Sequence, residues 1–234
     1  MKDVVVVHSS DLHIDHGYPP GLGDATAGLA RVLKVAREAE ADLVLLAGDT
    51  FESHRQPAHL IERAAELFAG ADIPVVLLPG NHDPATADAA FRHARLAALD
   101  HLHVLGVTHE EAVVFPTLDL EVWGRAHLDY VDMVPFERAR TRTTRWQIAM
   151  GHGHYEPVAD RSRRPRPSWL IGEAEISATG ADYVALGHWN RAAKVGNGLP
   201  AYYSGSPDYA GTVNVVRLTA RGEVVVSRRP IEAG

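Results

Sequence analysis

The sequence predicts an α/β fold with mixed sheets, for three reasons. Runs of apolar, mostly β-branched residues alternate with helical patterns through the first half of the chain. The second half instead holds many short strand-like runs joined by short turns, which indicates a mixed sheet or a second sheet. We find no linker between the halves, so residues 1–234 are expected to form a single domain.

Strands and helices alternate regularly in the first half. The apolar run at residues 4–7 is typical of a strand that is covered on both faces. Apolar residues from Leu29 to Ala36 recur at helical spacing, and Pro57 stands at the expected first turn of another helix. The predicted strands are 4–7, 42–47 and 73–78, and the predicted helices are 24–40, 57–69 and 85–99. This order implies parallel strands joined by right-handed crossovers.

The second half predicts shorter elements. Eight strands are expected, at residues 104–105, 112–115, 118–124, 147–150, 183–186, 201–204, 213–218 and 224–228. Residues 156–168 are rich in arginine and proline and are predicted to form an exposed loop.

The composition narrows the classes of function. The chain has no cysteine, which excludes disulfides and thiolate metal sites. It lacks both an apolar run long enough to cross a bilayer and the layout of a signal peptide, so we expect a cytoplasmic protein without a membrane partner. The net charge of −7 argues against broad nucleic-acid binding driven by counterion release.

Polar residues follow the first three predicted strands where each one ends. Asp11 and His13 come after the first strand, Asp49 after the second, and Asn81 and His82 after the third. Because ligands bind at the carboxyl ends of strands in open α/β sheets, we expect these side chains to share one edge. Glycine at positions 48 and 80 would let the backbone turn tightly as it leaves the sheet.

Two later apolar runs repeat the pattern and end in Gly151-His152 and Gly187-His188. Carboxylate oxygens, an amide oxygen and imidazole nitrogens suit Mn, Fe or Zn, and a shared carboxylate can bridge two ions. Each motif alone is also compatible with ordinary turn chemistry. Five motifs in this order, each at a strand end, favour a metal site over five unrelated turns.

The ordered motifs resemble those of the calcineurin-like metallophosphoesterases. They are Asp11-x-His13, Gly48-Asp49, Gly80-Asn81-His82-Asp83, Gly151-His152 and Gly187-His188. Within that superfamily, the segments at residues 10–13, 48–51 and 203–207 most resemble the Mre11/SbcD-type nucleases of DNA repair. The motifs extend from residue 11 to residue 207, which is nearly the whole chain.

The resemblance implies a four-layer α/β/β/α sandwich with two divalent metal ions at the sheet edges. Manganese is the leading choice, with Fe, Zn or Mg as alternatives. Metal one is expected on Asp11, His13 and Asp49. Asp49 would bridge to metal two, whose other ligands would be Asn81, His152 and His188.

His82 and Asp49 are the catalytic residues that the resemblance implies. Two ions polarise a phosphoryl oxygen and lower the pKa of a bridging water, which gives a hydroxide for in-line attack. His82 does not bind metal in this family but stabilises developing charge or protonates the leaving oxygen. Histidine is a suitable general acid near neutral pH.

The chain departs from the family pattern in two places. Asn190 stands where a second histidine usually binds metal one, so we expect Asn190 to be a weaker ligand and metal one to bind less tightly or with altered geometry. His154 either compensates or is a spare surface histidine. The chain also ends soon after its last strands, so DNA binding and an ATPase partner, which involve further C-terminal regions in the nuclease family, are in doubt.

Several further residues are candidates for contact with the substrate. His54 follows the second motif and Trp189 lies between two site positions, where it could stack on a base or simply pack; both are substrate-binding candidates. His16 is a further candidate near the first motif. Two arginine clusters either contact phosphates or are solvated: Arg138, Arg140, Arg142 and Arg145, and Arg161, Arg163, Arg164 and Arg166.

Three functions compete. The first is a metal-dependent phosphodiesterase of the nuclease-like branch, acting on DNA or nucleotides. The second is a phosphatase or phosphodiesterase of small phosphorylated metabolites, which the acidic charge favours. The third is a catalytically weak binding scaffold with the same fold, which Asn190 favours and intact His82 and Asp49 oppose.

Overall fold

Two six-stranded mixed sheets lie face to face at the centre of the fold. The computed structural model describes residues 2–15, 24–163 and 168–232. The first sheet contains β1 (Val4–Ser9), β2 (Leu43–Ala47), β3 (Val75–Leu78), β4 (Leu102–Val104), β13 (Thr212–Leu218) and β14 (Val224–Pro230). The second contains β5 (Ala112–Phe115), β6 (Leu120–Gly124), β7 (Trp146–His152), β10 (Tyr183–Gly187), β11 (Ala193–Val195) and β12 (Ala201–Tyr203).

The first sheet is antiparallel only on its β14-β13-β1 side, whereas the second sheet is antiparallel at both of its edges. In the first sheet the order is β14-β13-β1-β2-β3-β4, and β1 to β4 run parallel. In the second the order is β11-β12-β10-β7-β6-β5, with β12, β10, β7 and β6 parallel. A small parallel sheet of β8 (Tyr155–Glu156) and β9 (Ile171–Gly172) follows β7.

Helices complete the four layers. The outer face of the first sheet is covered by α1 (Ala27–Glu38) and α2 (Ala58–Ala69), whose Leu33 and Phe68 pack in one buried cluster with Leu46 of β2. The outer face of the second sheet is covered more thinly, by α4 (Glu173–Ala178) and adjoining loops. Two four-residue helices, α3 (Ala94–Ala97) and α5 (Pro207–Ala210), complete the set among the described residues.

The alternation of side chains along the central strands explains why these strands read as continuous apolar runs. In β2, Val44 and Leu46 face the helices, while Leu43 and Leu45 face the second sheet. Each strand therefore buries both of its faces, as a strand between two layers must. The apolar layer between the sheets is shared by both, so the two halves of the chain pack on one interior.

The architecture confirms the predicted α/β class and the four-layer sandwich. The three strands predicted in the first half are present. Of the two arrangements expected of the second half, a second mixed sheet is found, although the predicted strands at 213–218 and 224–228 join the first sheet. Among the described residues, no helix combines the length and apolar character needed to cross a membrane. The assignment of residues 1–234 to a single domain stays a prediction.

The helix predicted at residues 85–99 is wrong. That range contains a 3₁₀ turn at Ala90–Arg92 and the short α3, with extended backbone at Ala89 and His93 before and between them. The side chain of Arg92 donates to the carbonyl groups of Thr86 and Ala85, so backbone acceptors are satisfied without a continuous helix. Tertiary contacts have overridden the helix propensity of the alanine-rich sequence.

Replacing Phe68 with alanine is expected to lower the free energy of unfolding by about 3–5 kcal/mol, because the buried ring would leave a cavity under α2. Chemical denaturation followed by circular dichroism measures the change. Glu62→Ala, on the exposed side of the same helix, is the matched control and should change stability by less than about 0.5 kcal/mol. Equal stability of the two variants would contradict the packing described above.

Candidate metal centre

The six predicted ligands lie where parallel strands of both sheets end. They are Asp11, His13, Asp49, Asn81, His152 and His188. The loops after β1 and β2 run side by side, because the N–H groups of Asp11 and His13 donate to the carbonyl groups of Gly48 and Asp49, each at 3.0 Å. The structure therefore brings all six onto one end of the sandwich.

Four of these residues have a positive φ angle. The value is 55° at Asp11, 49° at His13, 52° at Asp49 and 107° at His188. A left-handed backbone costs a residue with a side chain roughly 1–2 kcal/mol, so the surrounding structure must hold it. Strain of this kind concentrates at functional sites, and here it aims the side chains of successive strands at a common point.

Lone pairs converge on one position between the sheets. His152 donates its Nδ1–H to the carbonyl of Ala47 at 2.8 Å, which leaves a lone pair on Nε2. That Nε2 lies 3.0 Å from Oδ1 of Asn81 and 3.1 Å from Oδ2 of Asp49, and the ring of His188 approaches the same Asn81 oxygen at 3.1 Å. Neighbouring ligands of an ion bound at about 2.1 Å lie about 3 Å apart, so this donor set fits a divalent metal.

A second donor set shares Asp49 with the first. Ligand atoms of Asp11, His13 and Asp49 lie within 4.8 Å of one another, as do those of Asp49, His152 and His188. Asp11 is fixed by the hydroxyl of Ser10 at 2.5 Å and by the N–H of His188, which donates to both carboxylate oxygens at 3.0–3.1 Å. One carboxylate common to both sets is what a bridge between two ions requires.

The buried carboxylates of the centre favour a bound cation. Burial raises the pKa of Asp11, and the negative charge of Asp49 adds to that effect. Burial also opposes ionisation of Asp49, but His152 and then His82 outweigh it and hold the pKa of Asp49 below its usual range. Burial disfavours charged His152, yet the two carboxylates raise its pKa to about 9. A divalent ion would supply the positive charge that these carboxylates otherwise draw from His152.

Three glycines let the elements of the centre approach closely. A Cβ at Gly48, where φ is 92°, would lie 2.0 Å from Nδ1 of His152. At Gly80 it would lie 2.2 Å from Oδ1 of Asp49, and at Gly187 it would lie 1.8 Å from the carbonyl of Ala47. Any larger residue at these positions would displace a predicted ligand or separate the sheets.

His82 lies beside the first donor set and reaches solvent. Its backbone N–H donates to Oδ1 of Asp49 at 2.9 Å, and its side chain is 39% exposed. The ring meets that of His13 edge to face, with centroids 4.9 Å apart. This is the position that the predicted role of His82 requires: next to the metal ligands but open to a substrate.

Asp83 supports the centre although it has no predicted role. It accepts the N–H groups of Gly80 at 2.7 Å and Phe51 at 2.9 Å, which ties the loops after β2 and β3 together. Burial, reinforced by the charge of Asp49, raises the pKa of Asp83 to about 7. Its place at the end of the motif Gly80-Asn81-His82-Asp83 is the sequence signal that could have indicated this role.

Two further residues support the ligands without any sequence signal. His127 packs against His152 and donates Nε2–H to its carbonyl at 2.9 Å. Glu52 contacts His13, with Oε2 lying 2.7 Å from Nδ1 of that ring. Neither residue belongs to a motif, so only the structure reveals them.

Asn190 lies at the mouth of the first donor set. It is exposed and lines an open groove of about 570 Å³ together with His13 and Glu52. Carboxylates of Asp24 and Asp208 line the same groove. The structure therefore brings Asn190 to the correct side of the centre, and its role as a ligand of metal one stays a prediction.

Part of the indole surface of Trp189 packs against other protein groups. Its indole stacks on the ring of Tyr203, with centroids 4.3 Å apart and planes 9° apart, and its Nε1–H donates to Nδ1 of His154 at 3.0 Å. One face of the indole is thus covered by protein. His154 supports Trp189 and packs edge to face on His188, with ring centroids 6.3 Å apart. Substrate binding by Trp189 stays a prediction.

His54 contacts other residues than the predicted ligands. Its ring bonds to the hydroxyl of Tyr130 and lies 3.7 Å from Asp88. Its role in substrate binding stays a prediction, as does that of His16, which lies outside the described residues.

The first arginine cluster has structural partners. Arg142 donates to Asp182 at 2.6 Å, Arg140 to the buried Glu121 at 3.4 Å, and Arg145 to the carbonyl of Ala220 at 2.7 Å. These three residues precede β7, whereas His152 ends it, so they lie at the opposite end of the sheet from the candidate centre. Arg138 instead lines a pocket with Trp123 and Glu137.

In the second arginine cluster, Arg161 bonds to Leu170 and Glu175. Arg164 and Arg166 lie outside the described residues, and only the backbone of Arg163 is described.

Gly48→Ala is expected to abolish metal binding at the His152 donor set, because the new methyl group would overlap the imidazole and strain a backbone with positive φ. Metal per chain, measured by mass spectrometry after dialysis against manganese, reports the loss. Gly180→Ala is the matched control: φ there is also positive, at 61°, but no atom lies within 4 Å of the added Cβ. Full metal content in the Gly48 variant would contradict the assigned site.

Comparison with known proteins places the chain in a family. The profile of the Calcineurin-like phosphoesterase family matches residues 4–191. The chain is 31% identical to the DNA double-strand break repair protein Mre11 of Archaeoglobus fulgidus over 106 residues, which cover 43% of this chain and 24% of that protein. It is 25% identical to the SbcD component of the nuclease SbcCD of Bacillus subtilis, over 90% of this chain and 65% of that protein. The chain thus spans less than two thirds of either relative.

The fold recurs in a solved structure as well. The crystal structure of TT1561 of Thermus thermophilus matches with a TM-score of 0.63 at 12% identity, covering 98% of this chain and 99% of that one. At that identity the likeness concerns the fold alone. Because the family profile covers most of its length, the chain belongs to the calcineurin-like phosphoesterase family, a family of metal-dependent phosphoester hydrolases.

Proposed function

We propose that the chain is a phosphodiesterase with two divalent metal ions, acting on DNA or nucleotides. The observation that carries the proposal is the shared carboxylate of Asp49, which belongs to two donor sets whose other members come from both sheets. Metal one is assigned to Asp11, His13, Asp49 and, as a weaker ligand, Asn190. Metal two is assigned to Asp49, Asn81, His152 and His188. Manganese is the leading choice of ion.

The bound ions would polarise a phosphoryl oxygen and make a bridging water acidic enough to attack. The protein's own contribution is to hold the ligands and to move a proton. His82 reaches solvent while its backbone is fixed to Asp49, so its ring can donate a proton to the leaving oxygen of a bound ester. Burial and the neighbouring His152 lower the pKa of His188 to about 3, which keeps its imidazole neutral and able to bind metal.

The choice of a phosphodiester substrate rests on the relatives. One is described as a DNA double-strand break repair protein and the other as part of a nuclease. The motifs that suggested this branch include residues assigned here to metal binding.

A second candidate is hydrolysis of small phosphorylated metabolites. The groove beside His13 is lined by carboxylates of Asp24, Glu52 and Asp208, and no lysine or arginine is among its described lining residues. The arginines from Arg140 to Arg145 lie at the far end of the sheet. Arg31 and Arg63 pair with Asp208 and Asp24, so the described lining residues present no unpaired cation to a polyanion, and we infer that the groove suits a small ester better. A third candidate, a catalytically weak scaffold, is favoured by Asn190 alone.

A panel of three substrates with added manganese separates these functions. Cleavage of single-stranded DNA supports the nuclease, while hydrolysis of bis-p-nitrophenyl phosphate or p-nitrophenyl phosphate without DNA cleavage supports a small-molecule esterase. A protein that binds two ions yet hydrolyses nothing across a broad panel would contradict both enzyme functions.

Asp49→Ala is expected to abolish both activity and binding of the two ions, because one carboxylate serves both sites. His82→Ala should keep both ions and slow turnover by about 10²–10⁴-fold, since only proton transfer is lost. His59→Ala, an exposed histidine on α2, is the control for general loss of a histidine. Loss of metal in the His82 variant would contradict the role assigned to that residue.

A further inference from the structure

Glu52 joins the two histidines that flank the first donor set. Its Oε2 lies 2.7 Å from Nδ1 of His13, and its Oε1 lies 3.3 Å from Nδ1 of His82. The backbone carbonyl of Glu52 also lies 3.2 Å from the same nitrogen of His82. One residue thus meets the inner nitrogen of both rings.

The backbone of Glu52 is fixed with respect to both partners. Its N–H donates to the carbonyl of Ile14 at 3.0 Å, next to His13 in the chain. The preceding residue, Phe51, is buried, pairs with Ile14 in an isolated bridge and donates its N–H to Asp83 of the third motif. Glu52 is therefore positioned by the same contacts that bring the loops after β1, β2 and β3 together.

These contacts determine which nitrogen of His13 can bind metal. A carboxylate accepts hydrogen bonds but cannot donate them, so the proton of neutral His13 must lie on Nδ1. The lone pair then lies on Nε2, which is the nitrogen that faces Asp11, at 4.0 Å. A carboxylate behind a metal-binding histidine orients the ring and makes it a stronger ligand. The carboxylate and carbonyl of Glu52 impose the same tautomer on His82, which directs its Nε2 away from Glu52.

We propose that Glu52 is a positioning residue that strengthens His13 as the ligand of metal one. The inference rests on the two-ion centre proposed above. Glu52 supports only the side of the centre that holds metal one, because His152, a ligand of metal two, is oriented instead by the carbonyl of Ala47. Glu52 thereby offsets the weak ligand at Asn190, and metal one depends on Glu52 whereas metal two does not.

The test is a manganese titration of the metal-free full chain, followed by calorimetry and by electron paramagnetic resonance of the coupled ion pair. The wild type is expected to show one tight and one weaker site. Glu52→Ala should weaken only the weaker site, by about 10–100-fold, and remove the signal of the coupled pair at manganese levels that still fill the tight site. Glu52→Gln should recover part of the affinity, since its amide oxygen still accepts from His13 without the charge.

Glu62→Ala removes an exposed glutamate from α2 and should leave both sites and the paramagnetic signal unchanged. The proposal would be overturned if Glu52→Ala bound manganese like the wild type. It would also be overturned if both sites weakened equally while the metal-free protein melted at a lower temperature, because Glu52 would then be a general structural support.

The titration does not require turnover, so it separates two failures. A wild type that binds two ions and hydrolyses no phosphoester would contradict the proposed function but leave the role of Glu52 to be decided by its variants. A wild type that binds fewer than two ions would contradict both.

Discussion

The carboxylate of Asp49 is the constraint on which the rest of the site depends. It is buried where the two sheets meet, accepts the backbone N–H of His82 through one oxygen and lies 3.1 Å from His152 through the other. An ionised carboxylate is costly in such a place unless positive charge is brought to it. The positive charge comes either from the proton on His152 or from an ion bound between Asp49 and the predicted ligands of the second sheet.

Holding Asp49 there requires the sheets to close tightly at one end. The carbonyl of Ala47, the last residue of β2, accepts a hydrogen bond from His152 and would be struck by any Cβ at Gly187. Elsewhere the sheets pack through a mainly apolar layer of valine, leucine, alanine and larger side chains, which also contains a buried hydrogen bond between His8 of β1 and Tyr183 of β10. The apolar interior thus fixes the distance between the sheets, and the glycines at the strand ends allow polar atoms to meet across it.

The centre is asymmetric in how its ligands are supported. His152 is buried and bonded to a backbone carbonyl, whereas His13 is partly exposed and bonded to the side chain of Glu52. The acceptor for His152 belongs to the backbone of a central strand, whereas the acceptor for His13 is a partly exposed side chain that also contacts His82. His152 thus lies in the buried half of the centre, and His13 lies in the half that opens to the groove.

Local sequence patterns predicted the central strands and the polar side chains that the fold brings together at their ends. Apolar runs such as Leu43–Ala47 are long enough to specify buried strands, and the residues that follow them must lie at the carboxyl edge. The five motifs therefore predicted which side chains converge, including His152 and His188 from distant parts of the chain. Local pattern sufficed because each predicted ligand lies at the end of a strand, or within a few residues of it, and the fold class fixes where that strand ends.

Features that depend on contacts between distant segments could not be predicted from local sequence. Glu52 and His127 follow no distinctive pattern, and their roles exist only because the fold places them against His13 and His152. The range 85–99 has helical composition but forms turns, because side-chain contacts satisfy its backbone groups. The arginines near β7 turn out to bind structural carboxylates and carbonyl groups rather than line the site. A local sequence specifies a local conformation, whereas the partners of a side chain are specified by the whole chain once it has packed.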